Sequence, residues 1–100
     1  MRIIKTLHLQ HYAQKHPEVA AAILHWIATV KAANWRTPQE VQAAFSKAKT
    51  LGSDRVRFEL AGGNYRLIAA FDFKRRAVFI KFIGTHEEYD KVDARAIAQY

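Results

Sequence analysis

Arg57, Arg66, Lys81, His86 and Tyr89, all in the second half of the chain, are the side chains best suited to chemistry on an anionic substrate. A guanidinium fork matches two phosphate oxygens at once, and an ammonium group adds a point charge. An imidazole moves protons near neutral pH, and a phenol donates a hydrogen bond. His86 and Tyr89 lie in "FIKFIGTHEEYDK", where a Gly breaks an apolar run and polar residues crowd in behind it. Most of those polar residues have structural explanations. Thr85 and Glu88 have the spacing of a capping box, and Glu87 and Lys91 are an i,i+4 pair in the favourable order. Asp90 falls in the second turn, where solvation accounts for it. His86 and Tyr89 remain, three apart and so on one side of a helix. The positive end of a helix favours the neutral imidazole that a general base needs. A His packed on a sheet and a Tyr serving only as packing explain the same pair. "HEEYD" lacks the second His of a zinc-protease helix, His8 and His11 alone make no metal site, and no metal or cofactor is expected.

The elements that must hold these residues follow from periodicity. Ile3 and Ile4 between charges suggest a short N-terminal strand. Leu7–His16 carries helical spacing and Pro17 stops it. Pro17 and Glu18 suit the first turn of a second helix to about Ala33, with Val19, Ile23, Trp26, Ile27 and Val30 on one stripe. "TPQE" at Thr37–Glu40 starts a third helix, with Val41, Ala44 and Phe45 facing inward. From Arg55 the period becomes two. Three strands follow, linked by Ala61–Asn64 and by "FKRR", and such short links make them antiparallel neighbours. Val56, Phe58, Leu60, Leu67, Ala69, Phe71, Val78, Ile80 and Phe82 should face the helices. Arg57, Arg66 and Lys81 then share the other face with Ile68, Phe79 and Ile83. Mixed cations and apolar groups suit a groove that holds phosphates and stacks bases, although an ordinary solvated face carries cations too. The expected class is α+β: three C-terminal strands and a short N-terminal one, packed on N-terminal helices. Ala94–Tyr100 reads as helix.

Composition bounds the possibilities. One hundred residues, half of them apolar, form one domain able to bury a core. There is no Cys, so disulfide scaffolds and thiolate metal sites are excluded. Sixteen Lys and Arg against nine Asp and Glu give a net charge of +7, which favours anionic partners, nucleic acid first. The first twenty residues carry Arg2, Lys5 and Lys15 and no long apolar run, so neither a signal peptide nor a membrane span is expected and the cytoplasm is the default compartment.

Three blocks, "NWRTPQE", "RVRFELAGGNYRLIAAF" and "VFIKFIGTHEEYDKVD", resemble the HigB-type toxins of bacterial toxin–antitoxin modules. The likeness covers most of the chain and is tightest from Asn34 to Asp93. It implies a RelE-like microbial-ribonuclease fold and metal-free messenger RNA cleavage, commonly on translating ribosomes. It also implies a HigA-type antitoxin with a DNA-binding helix-turn-helix, so that operator DNA is met only through that partner. Arg66, Lys81, His86 and Tyr89 fall where the family pattern expects them and form the expected catalytic set. Arg57, Arg55, Asn64 and Lys74 are the expected RNA contacts. The family turn usually places a residue between the Asn and the Tyr, whereas Asn64 here directly precedes Tyr65. A domain that binds RNA or the ribosome without cutting is the rival reading, and a protein adaptor using the apolar helix stripes is a third.

Overall fold

The computed structural model describes all residues, Met1–Tyr100. The chain runs β1 (Arg2–Ile4), α1 (Thr6–Lys15), α2 (Pro17–Ala32), α3 (Pro38–Ala44), β2 (Lys49–Gly52), β3 (Arg55–Leu60), a 3-10 turn at Ala61–Gly63, β4 (Tyr65–Asp72), β5 (Ala77–Thr85) and α4 (His86–Tyr89). The sheet has five strands in the order β1-β5-β4-β3-β2. All neighbours are antiparallel except β1 and β5, which pair in parallel across the whole intervening chain.

The helices form where apolar spacing and breakers agree. His16 and Pro17 separate α1 from α2, and Val19, Ile23, Trp26, Ile27 and Val30 are all buried along the α2 stripe. Thr37 and Glu40 close the capping box of α3, Val41 is buried and Phe45 packs on the core, but Ala44 is exposed. The helix ends at Ala44, and Phe45 is its C-cap with extended backbone, so it reaches the core from outside the helical face.

Three further expectations fail. β2 forms a second hairpin with β3 through the left-handed turn of Gly52, Ser53 and Asp54, so the sheet is one strand wider than its alternation suggests. A β-bulge between Ile68 and Ala69 pairs Leu67 with Ile83 and Ile68 with Phe82, but Ala69 with Ile80, leaving Lys81 as the extra residue. Ile83 therefore joins the core, and Phe82 turns to the other face beside Ile68. Residues 94–100 contain only a single turn, closed by Ala96 and Ile97 N–H groups donating to the Asp93 carbonyl.

The terminal segment nonetheless has a defined path. Arg55 Nη1 donates to the carbonyls of Ala94 (3.2 Å) and Ile97 (2.7 Å). Gln99 then meets the edge of β5 beyond the end of β1, donating from its backbone N–H to the Lys81 carbonyl and accepting from the Ile83 N–H at its side-chain Oε1. Tyr100 stacks on His8 of α1 at 4.2 Å. The segment thus runs from β3 to the β5 edge across the face opposite the helices, where Ile68 and Phe82 are buried. The Arg57–Arg66 end of that face lies beyond the path of the segment, and Phe79 at the other end stays exposed.

Candidate active site

β3 and β4 place Arg57, Glu59 and Arg66 on one face, with Glu59 directly opposite Arg66 in the pairing. Glu59 bridges the two guanidiniums. One carboxylate oxygen lies 3.0 Å from Arg57 Nη2 and the other 3.1 Å from Arg66 Nη1. Arg66 is only 8% exposed, the one charged residue in the buried set. Its Nε, and that of Arg57, are buried without a hydrogen-bond partner. Arg66 Nη1 likewise makes no well-aligned hydrogen bond, so its contact with Glu59 is an ion pair. The Gly62-Gly63 turn allows the close approach. Gly63 sits at φ +91°, and a Cβ there would fall 3.1 Å from Glu59 Oε1.

α4 adds the groups beside this cluster. Thr85 and Glu88 form the expected capping box, and the His86 N–H donates to the Asn64 carbonyl at 2.9 Å, fixing the helix start against the β3–β4 turn. Tyr89 lays its ring 5.8 Å from the Arg66 guanidinium carbon and edge-on to Phe82. The helix ends at Tyr89, too early for a helical Glu87–Lys91 pair. Asp90 is not merely solvated: it pairs with His86 at 3.5 Å. His86 is exposed and lines a cleft of ≈ 440 Å³ with Glu18, Asn64, Tyr65, Thr85 and Glu87. Arg66 is not among that cleft's lining residues. Arg66 and His86 therefore occupy the same end of the sheet, linked through Tyr89 of α4, but no single cleft is lined by both.

The remaining candidates separate. Lys81 lies on the bulge with its Nζ 5.8 Å from the Phe79 ring centroid, in a crevice shared with Ile4, Lys5 and Tyr100. Three residues of strand set it roughly 10 Å from the Arg66 row, so the three sheet cations do not converge: Arg57 and Arg66 do. Arg55 holds the C-terminal segment. Lys74 is exposed in the β4–β5 turn, six strand residues or roughly 20 Å from Arg66. Asn64 is exposed on the cleft wall.

Glu59 and the Glu18–Tyr65 pair were not singled out in the sequence. Glu59 reads there as the solvated member of an alternating strand; its position across from Arg66 was the available signal, once the hairpin register is drawn. Tyr65 donates its hydroxyl to the Glu18 carboxylate, whose own position is shared with His16 at 3.8 Å. That hydrogen bond, first among the causes, holds Glu18 below the usual carboxylate range and pushes Tyr65 up. Tyr12 stacks on His16 beside them, and burial, with nearby Glu88 next, pushes its phenol up to about 12.

Comparison with known proteins agrees with this architecture. Residues 19–92 match the HigB toxin family, described as the RelE-like toxic component of a toxin–antitoxin system. The mRNA interferase HigB of Escherichia coli O6:H1 (strain CFT073) is 30% identical over 94 residues, 92% of this chain and 91% of that protein. With that match running from α2 through α4, the chain belongs to the HigB family of toxins.

Proposed function

We propose that this toxin is a metal-independent messenger RNA endoribonuclease that cuts by 2′-hydroxyl attack. The new bond joins O2′ to phosphorus, the P–O5′ bond breaks, and the products carry a 2′,3′-cyclic phosphate and a 5′-hydroxyl. The observation that carries the reading is the pair of guanidiniums drawn together by Glu59 on the face of β3 and β4 opposite the helices, next to a short helix bearing His86 and Tyr89. Arg66 is the main clamp on the pentacoordinate phosphorus, Arg57 assists, and Tyr89 orients the phosphate. His86 carries one proton transfer, taking the 2′-hydroxyl proton or supplying one to O5′, water carries the other, and Asp90 lies 3.5 Å from the His86 ring. Lys81, set apart on the bulge, meets the phosphate of a neighbouring nucleotide. The named activity of the Escherichia coli relative supports the same reaction class.

The setting is a translating ribosome, and growth arrest follows from lost messages. The neutralising partner is a HigA-type antitoxin with a helix-turn-helix, through which alone operator DNA is contacted. One observation favours a second reading, an RNA- or ribosome-binding domain without catalysis: Arg66 already has Glu59 as partner and stands outside the His86 cleft. Mapping transcript ends after brief induction separates the two. Cleavage gives new 3′ ends bearing 2′,3′-cyclic phosphate that vanish with Arg66→Ala; binding alone stalls growth with transcripts intact.

A further inference from the structure

We infer that the cleft lined by Glu18, Asn64, Tyr65, Thr85, His86 and Glu87 is a nucleobase site that selects guanine next to the cut bond. The inference rests on the ribonuclease reading for its substrate, but its chemistry comes from the cleft. At ≈ 440 Å³ the cleft falls inside the roughly 300–1,000 Å³ range of small-molecule sites. It opens between the N-terminus of α2, the turn after β3 and the start of α4, on the helix side of the sheet, whereas the arginine pair lies on the other face.

Its polar groups point to one kind of ligand. Glu18 is held in place by the hydroxyl of Tyr65, a residue only 7% exposed, so the carboxylate is oriented before any ligand arrives. An ionised carboxylate only accepts, and its two oxygens offer about four lone-pair sites, of which Tyr65 takes one. Glu87 adds a second acceptor on the same wall. Phosphate is repelled from such a lining; a flat group with two adjacent N–H donors is attracted. Among the four bases only guanine carries adjacent donors, N1–H and N2–H₂, on its pairing edge. Adenine and cytosine place a bare ring nitrogen where the second donor must be, and uracil offers one N–H between two carbonyls. Asn64 supplies an amide that can donate to guanine O6. The exposed imidazole of His86 offers a stacking face at the cleft mouth. The same residue is the proposed proton carrier, which puts the selected base beside the reacting ribose.

The test is a titration of the full-length protein with guanosine, adenosine, cytidine and uridine 3′-monophosphates, followed by the NMR signals of Asn64 and His86. Inorganic phosphate is the control. Guanosine monophosphate should bind about tenfold more tightly than the others, and Glu18→Gln should erase that difference. Equal binding of all four, no binding of any up to millimolar concentration, or a guanine preference that survives Glu18→Gln overturns the inference. So does a Glu18→Gln protein that loses antitoxin binding while the four nucleotides bind alike, which makes the cleft a protein contact. Transcript ends separate this claim from the one it rests on. Cleavage without guanine at a fixed position refutes the base site and leaves the ribonuclease, whereas guanine binding without any cleavage refutes the ribonuclease and leaves the cleft.

Discussion

At the scale of single residues, Arg66 and the Glu59 carboxylate opposite it are the pair most open to test. Arg66→Ala removes the proposed phosphate clamp and should lower cleavage about 10²–10³-fold in a protein whose circular dichroism is unchanged. Single-turnover cleavage of a short RNA on ribosomes measures it. Glu59→Gln keeps the volume and one acceptor oxygen but removes the negative charge between the two guanidiniums. RNA affinity should then rise, with a steeper salt dependence, while turnover falls about ten- to hundredfold because the arginines lose their alignment. A purely structural Glu59 would instead lower thermal stability and leave the ratio of turnover to affinity alone. The places of Arg66, His86 and Tyr89 were legible in the sequence: alternation puts Arg66 on the face of β4 away from the helices, and the Thr85–Glu88 capping box puts His86 and Tyr89 on the short helix after Gly84. Glu59 was not, because a Glu between arginines on a strand looks solvated until the register sets it 3.1 Å from Arg66.

The elements were legible wherever two local signals coincide. The Thr37–Glu40 and Thr85–Glu88 capping boxes and the His16–Pro17 break all mark true boundaries. β2 escaped because "KTLG" is four residues long and has no alternation. The bulge escaped because "AVFIKFIGT" is apolar almost throughout, so a phase change after Ile80 leaves no trace in composition. Two substitutions test the elements as described. A Cβ at Gly84 would stand 2.7 Å from Phe82 Cζ and 3.2 Å from Glu88 Oε1, so Gly84→Ala strains both the second-face packing and the α4 cap. Urea unfolding should show a loss of about 1–3 kcal/mol. Arg55→Ala removes the charged donor to Ala94 and Ile97, and should cost about 1.5–3 kcal/mol. Cleavage per folded molecule should persist, because Arg55 Nη1 is engaged by the carbonyls of the C-terminal segment.

For the whole molecule, the sign of the charge and the α+β class were plain from composition and period, and the C-terminal path was not, since its anchors are single long-range hydrogen bonds. The tyrosine cluster gives the molecule a high-pH signature. Tyr12, Tyr65 and Tyr100 all hold their protons more tightly than free tyrosine, Tyr12 to about 12 through burial first. A folded-state value above the unfolded one means that the stabilisation is complete below pH 10 and is lost as pH rises through about 12. Denaturation midpoints should therefore hold steady up to about pH 10 and fall beyond it, and Tyr12→Phe should flatten that fall. The lowered Glu18 works at the other end: its contribution is present above the ordinary carboxylate value and fades as acid protonates it.

The central claim is that the arginine clamp and the α4 imidazole serve one phosphodiester. The direct measurement is a double-mutant cycle of Arg66→Ala and His86→Ala on single-turnover RNA cleavage. Groups acting on one transition state are strongly non-additive, so the double variant should cleave hardly more slowly than the worse single one. Multiplying defects, or either single variant cutting at the unmodified rate, would contradict it.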